Sequence, residues 1–106
     1  MKIDDLDKYT KGWLVGDFYP SILKHKDLEV GIAFHAKNEP TQNHYHTSSD
    51  EYNIIVSGKM NVNGKVMEKG AIFIYEKMDV SDCSFLEDTI LVIIRIPSAP
   101  LDKVIV

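Results

Sequence analysis

The most informative stretch of the sequence is Gln42-Asn43-His44-Tyr45-His46-Thr47-Ser48-Ser49-Asp50-Glu51. Residues i and i+2 of a β-strand point to the same side, so His44 and His46 present both imidazoles on one face. Glu51 follows a four-residue polar loop and opens the next strand, which brings a carboxylate back beside the pair. Two imidazoles and one carboxylate can occupy one side of a divalent metal's coordination sphere, as in catalytic zinc sites and the facial triad of non-haem iron. The spacing therefore predicts a metal site formed by His44, His46 and Glu51.

Short β-rich segments, divided by turn residues, surround this stretch. The sequence predicts strands over residues 13–19, 28–36, 42–46, 51–56, 71–75, 80–86 and 89–96, with a short terminal strand over 104–106. The clearest hairpin joins residues 59–62 to 65–68 through Asn63-Gly64, because these two residues readily adopt the positive φ angles of a type I′ turn. So many short strands, without a helical pattern, are typical of an all-β sandwich or barrel.

The histidine segment also resembles the first sequence motif of the cupins, which reads His-x-His, three or four residues, Glu, six residues, Gly. His44, His46, Glu51 and Gly58 occupy these positions. The resemblance covers roughly residues 28–96. It implies the double-stranded β-helix, or jelly-roll barrel, with the metal held inside. We therefore expect one cupin domain over residues 1–106, with its core in 28–96 and a short N-terminal arm.

The second cupin motif, Pro-x-Gly-x-x-His, is incomplete in this chain. No histidine follows His46, and the position of the family's next ligand falls at or near Ser81. Asp82 is the candidate fourth ligand. With water in the open positions, the remaining set would accept Zn²⁺, Mn²⁺, Fe²⁺ or Ni²⁺. Asn53 and Ile55 share the strand parity of Glu51, so we expect them to line the same pocket.

Composition and charge limit the classes of binding partner and the cellular compartment that we expect for this protein. The chain has a net charge of −4 and no Lys/Arg cluster, which argues against nucleic acid and an anionic membrane surface as partners. The single cysteine, Cys83, allows no intramolecular disulfide and favours a reducing compartment. The acidic start lacks the apolar segment of a signal peptide, and no apolar stretch approaches the roughly 20 residues of a membrane span. We therefore expect a soluble, cytoplasmic protein.

Two predicted strands are apolar on both faces. In 89–96 the apolar residues occupy successive positions, and in 51–56 the outward side carries Tyr52, Ile54 and Val56. A strand with one face in water should alternate with polar residues, so another element must cover the second face. Either the N-terminal arm covers it or a second copy of the chain does, and the sequence favours the homodimer.

These features predict a small cupin whose divalent metal binds, or acts on, a small polar metabolite such as a sugar derivative. The alternative is a non-enzymatic binding or scaffold cupin with a weakened or empty metal site. No residue beyond the ligand set serves as a dedicated general base, so catalytic residues are not assigned. The reaction class on this fold rests on analogy alone.

Overall fold

The computed structural model describes all 106 residues and contains eleven strands with two short 3-10 turns. The turns, Leu6–Lys8 and Thr10–Gly12, form the N-terminal arm. The strands are β1 (Trp13–Gly16), β2 (Leu23–Lys24), β3 (Glu29–His35), β4 (His44–His46), β5 (Asp50–Ser57), β6 (Lys59–Val62), β7 (Lys65–Glu68), β8 (Ile72–Tyr75), β9 (Cys83–Phe85), β10 (Thr89–Ile96) and β11 (Lys103–Ile105). The all-β prediction is confirmed, and the strands of the Asn63-Gly64 hairpin and of 89–96 match the sequence prediction to the residue.

Three sheets form the domain. The largest has the order β2-β1-β3-β10-β5-β8, and smaller sheets have the orders β7-β6-β9 and β11-β4. An isolated antiparallel bridge between His44 and Ser81 connects β4 to the segment before β9. The sheets surround one interior without joining into a closed hydrogen-bonded barrel.

Two glycine positions are required by the backbone. In the β6–β7 hairpin Asn63 and Gly64 have φ angles of 48° and 85°, as a type I′ turn demands. Gly58, between β5 and β6, has a φ of +99°, and a Cβ there would lie 2.3 Å from the Asp88 carbonyl oxygen. The glycine of the histidine motif therefore lets the β5–β6 turn approach the turn before β10.

The interior is apolar toward one end and polar toward the other. Its apolar part is a cluster from the two larger sheets, comprising Ile55, Met60, Val62, Phe73, Tyr75, Phe85, Leu91 and Ile93. Along β5 the inward positions run from Ile55 through Asn53 to Glu51, and the inward positions of β10 change in the same direction from Leu91 to Arg95. The histidine segment β4 lies at this polar end.

Two strand predictions were too long by three residues or more. The first strand ends at Gly16 instead of continuing to Tyr19, and the Asp17 N–H donates to Ser98 Oγ at 2.8 Å instead of to a neighbouring strand. The predicted strand over 80–86 is regular only from Cys83 to Phe85, because the segment before it turns to bridge His44. No helix of the structure has the length and apolar character to cross a membrane.

Candidate functional site

The two histidines of β4 lie side by side at the polar end of the interior. β4 pairs with β11 on one side, and on the other His44 exchanges backbone hydrogen bonds with Ser81 (2.7 and 3.3 Å). The imidazole centroids are 5.4 Å apart with the rings nearly perpendicular. His46 is buried and His44 is half-buried. The i, i+2 spacing thus brings both imidazoles together, with Ser81 directly opposite His44.

Asp102, in the loop before β11, holds the His46 ring in place. His46 Nδ1 lies 2.7 Å from Asp102 Oδ1, and the backbone N–H groups of Ser48 and Ser49 donate to Oδ2 at 3.1 Å each. Burial by itself would raise the pKa of Asp102, but its hydrogen bonds from His46 and from these two amides outweigh burial and lower it. An ionised carboxylate only accepts hydrogen bonds, so Nδ1 carries the imidazole proton. The lone pair of His46 is therefore on Nε2, which is buried and has no hydrogen-bond partner.

The imidazole proton of His44 lies on the same ring nitrogen as that of His46. Nδ1 of His44 lies 2.9 Å from the carbonyl oxygen of Gln42, which can only accept, so this nitrogen also carries the proton. Burial lowers the pKa of His44 and the positive charge of Lys103 lowers it further, against the opposing effects of the Gln42 hydrogen bond and the Glu51 charge. The neutral form is favoured, and its Nε2 is the nitrogen free to bind a ligand.

Glu51 lies at the same end but is engaged elsewhere. Its Oε1 is 3.4 Å from both Nε and Nη2 of Arg95, whose Nη1 is 3.4 Å from Glu29 Oε1. Arg95 is the cross-strand partner of both carboxylates, and its guanidinium lies 4.6 Å from the centre of the Trp13 ring. Ser98 Oγ donates to the second oxygen of Glu29 at 2.9 Å. The predicted carboxylate ligand is thus part of a buried ion-pair triad.

The residues therefore fit a metal in part. Two imidazoles present free Nε2 lone pairs, but no group of three or more His, Cys, Asp or Glu side chains is arranged to hold a metal ion. Glu51 is near enough for its charge to act on the pKa of His44, yet it is turned to Arg95. Imidazole nitrogens are ligands that divalent transition metals accept, and the carboxylate would join the two histidines only by leaving Arg95.

The candidate fourth ligand, Asp82, does not reach the histidines. Ser81 is buried whereas Asp82 is exposed, because consecutive residues in extended backbone point to opposite sides. The sequence placed both residues near the missing ligand without resolving which one faces inward. Ser81, across the bridge from His44, is the inward-facing residue of this segment.

The predicted pocket residues, Asn53 and Ile55, are buried on the inward side of β5. Asn53 Nδ2 has no hydrogen-bond partner, so it is a free donor inside the protein. Nearby, the Tyr75 hydroxyl donates to Asn63 Oδ1 at 2.7 Å and lies 3.1 Å from Cys83 Sγ. Burial, followed by the Cys83 contact, raises the pKa of Tyr75, so the phenol stays protonated. This lining offers neutral hydrogen-bonding groups to a ligand.

Two surface cavities lie away from the histidines. One, of about 220 Å³, is lined by Trp13, Tyr19 and Arg95 among others. The second, of about 580 Å³, opens beside Tyr75 and Asp79. Neither includes His44 or His46 in its lining, so neither cavity is the histidine site.

No protein-family model and no curated protein matches the chain. Several solved structures, however, are similar to the chain. An uncharacterised conserved protein with a double-stranded β-helix domain from Klebsiella pneumoniae has a TM-score of 0.71 at 18% identity, covering 98% of this chain and 90% of that one. KdgF from Halomonas sp. has a TM-score of 0.67 at 19% identity, with coverages of 74% and 76%. The pirin YhhW from Escherichia coli, solved with nickel(II), has a TM-score of 0.66 at 16% identity, covering 83% of this chain and 39% of that one.

Further matches are a cupin-2 domain protein from Shewanella frigidimarina and the Schizosaccharomyces pombe Cnp3 cupin domain, with TM-scores of 0.54 and 0.58 at 17% and 14% identity. At these identities the similarity concerns the fold, and it agrees with the sheets described above. The chain therefore has the cupin fold, a double-stranded β-helix.

Proposed function

We propose that this cupin binds a divalent transition metal through Nε2 of His44 and His46 and uses it to hold a small polar metabolite. The observation that carries the proposal is the buried, unpartnered Nε2 of His46. Buried polar atoms in native proteins nearly always have a partner, and a bound metal would supply one for a nitrogen that no other group of this chain contacts. Histidines that bind metals usually donate their other N–H to a carboxylate or carbonyl, as His46 does to Asp102 and His44 does to Gln42.

Zn²⁺, Mn²⁺, Fe²⁺ or Ni²⁺ would suit two imidazoles completed by oxygen ligands. Glu51 would supply one of these oxygens after exchanging Arg95 for the metal, while Arg95 keeps its contact with Glu29. A bound metal would polarise a carbonyl or hydroxyl oxygen of the metabolite. The nickel(II) in the pirin of the same fold supports this proposal.

The neutral hydrogen-bonding side chains near the histidines favour a ligand with polar, uncharged groups. Asn53 Nδ2 is a buried donor without a partner, and Ser81 offers a hydroxyl beside the histidines. Such groups match the oxygens of a sugar derivative or a similar polyhydroxyl compound, because each hydroxyl can both donate and accept. The histidine pair would anchor the ligand through the metal, and Asn53 would orient it.

A second candidate function is a metal-free binding or scaffold cupin. Two observations favour it: Glu51 is already paired with Arg95, and the residue that faces His44 across the backbone bridge is a serine, not a histidine. In that state the pair His46–Asp102 would present a neutral imidazole nitrogen to a ligand directly, as a hydrogen-bond acceptor.

Metal-dependent stabilisation separates the two functions. A metal that binds only the folded chain stabilises it by about 2.7 kcal/mol at a hundredfold excess over Kd. We expect Zn²⁺, Ni²⁺ or Mn²⁺ to raise Tm of the wild-type chain and of His25→Ala, whose histidine pairs with Asp27 in a turn. The double variant with His44→Ala and His46→Ala should not respond. If no metal raises Tm of the wild type, the metal-dependent function is refuted, and a metabolite panel screened in the same way tests the metal-free function.

A further inference from the structure

The six-stranded sheet has a continuous apolar outer face. We define it by the outward-pointing residues of four neighbouring strands: Val30, Ile32 and Phe34 on β3; Ile90, Val92, Ile94 and Ile96 on β10; Tyr52, Ile54 and Val56 on β5; Ile72 and Ile74 on β8. The register aligns them in rows. One row is Val30–Ile94–Tyr52–Ile74, and the next is Ile32–Val92–Ile54–Ile72.

The charges of these strands lie on the opposite side. Glu29, Arg95 and Glu51 all point inward, into the ion-pair triad. Among charged residues of the four strands, only Asp50, at the start of β5, points outward. A sheet with one face in water shows the reverse pattern, with polar residues outside. The outer face of this sheet is therefore built for contact with protein.

The N-terminal arm does not supply that contact. Ile3 remains 83% exposed, and Phe34, Ile72 and Ile74 remain 62%, 64% and 51% exposed with the arm in place. The alternative in which the chain covers its own outer face is thus wrong. The face is left for another molecule.

The exposed apolar area of the outer face is close to the area that each chain contributes to a stable dimer interface. Taking roughly 200 Å² for a fully exposed large side chain, the five most exposed members, at 44 to 64% exposure, present on the order of 500 Å². The half-buried members bring the total toward the ~800 Å² that each partner contributes to an interface of standard size. A patch of this extent exceeds what most monomers leave in water.

Charge favours a second copy of the same chain as the occupant. The chain carries a net charge of −4, so two copies repel each other over most of their surfaces. The outer apolar face is uncharged, and two identical faces can meet on it without bringing like charges together. We propose that two chains form a homodimer by packing their outer apolar faces against each other about a twofold axis. This inference does not depend on the metal site.

The test is the mass in solution, measured by light scattering after size exclusion at micromolar concentration. The wild type should show twice the chain mass of 12.0 kDa. The double variant with Ile72→Lys and Ile74→Lys places charges on exposed positions of an edge strand and should be monomeric, with Kd raised at least about 100-fold and an unchanged circular dichroism spectrum. Val66→Lys is the matched control, because Val66 is 54% exposed on β7, outside this face, and it should remain dimeric.

If the double variant does not fold, Phe34→Lys tests the far end of the same face and should also be monomeric. A wild-type chain that is monomeric overturns the proposal. So do folded face variants that stay dimeric, since the contact would then lie elsewhere.

Discussion

Replacing Asp102 by Asn tests the arrangement that sets the His46 tautomer. The asparagine has one acceptor oxygen where the aspartate has two. If that oxygen keeps the N–H groups of Ser48 and Ser49, its NH₂ faces His46 Nδ1, which must then accept. The imidazole proton moves to Nε2, and the lone pair directed into the interior is lost. The substitution thus changes both stability and metal affinity while nearly preserving shape.

The magnitude follows from the contacts. Asp102 accepts three hydrogen bonds, at 2.7, 3.1 and 3.1 Å, and its side chain is only 6% exposed. Hydrogen bonds to a charged group contribute about 1.5–3 kcal/mol and neutral ones about 1 kcal/mol, so Asp102→Asn should lower the free energy of unfolding by about 2–3 kcal/mol. For a domain of this size the loss corresponds to a decrease in Tm of roughly 10–20 °C. Metal affinity should fall about 10–100-fold or more, as for other carboxylates that orient a metal-binding histidine.

Urea unfolding followed by circular dichroism measures the first quantity, and Zn²⁺ titration calorimetry measures the second. Asp82→Asn is the matched control, because Asp82 is exposed and its side chain accepts no hydrogen bond; its effect should stay within about 0.5 kcal/mol. The reasoning is refuted if Asp102→Asn unfolds at the same urea concentration as the wild type, or if it binds Zn²⁺ equally well.

Two further predictions concern buried charge. Arg95→Met leaves Glu29 and Glu51 buried without a cation, so the free energy of unfolding of the metal-free protein, measured in urea, should fall by about 3 kcal/mol. Zn²⁺ affinity, measured by calorimetry, should rise because Glu51 is released from Arg95. A variant as stable as the wild type would contradict this prediction. The pKa of Asp102 is lower in the folded chain than its ordinary value of 3.8, so its contribution is complete above that value and is lost as pH falls through the folded pKa. The stability difference between the wild type and Asp102→Asn should therefore shrink as urea unfolding is repeated from about pH 5 to about pH 2, and a constant difference would contradict the assignment.

The fold could be predicted from the sequence because its signals are local. Asn63-Gly64 sets a two-residue turn, and the turn fixes the register of β6 and β7 without reference to the rest of the chain. The parity of His44 and His46 likewise follows from strand geometry alone. Gly58 could be identified only as part of a motif, since the Asp88 carbonyl that excludes a side chain lies in another turn.

The electrostatic environment of the site could not be predicted, because it depends on contacts between distant residues. Glu51 and Arg95 are 44 positions apart, and His46 and Asp102 are 56 apart. Sequence spacing predicted Glu51 as a metal ligand but could not show that β10 places a guanidinium beside it. Asp102 lies in a short loop after Pro97 and Pro100, where no local pattern marked it as the residue that orients His46. The parallel strand β2 was missed for a similar reason: its two residues are ordered only by β1.

Long-range ¹H–¹⁵N correlation NMR of the imidazoles tests the central claim most directly. We predict that at neutral pH His44 and His46 both show the proton on Nδ1, and that stoichiometric Zn²⁺ shifts the Nε2 resonances of these two histidines while His25 and His35 are unaffected. Spectra that place the proton on Nε2 of His46, or that do not change at saturating Zn²⁺, would contradict the account.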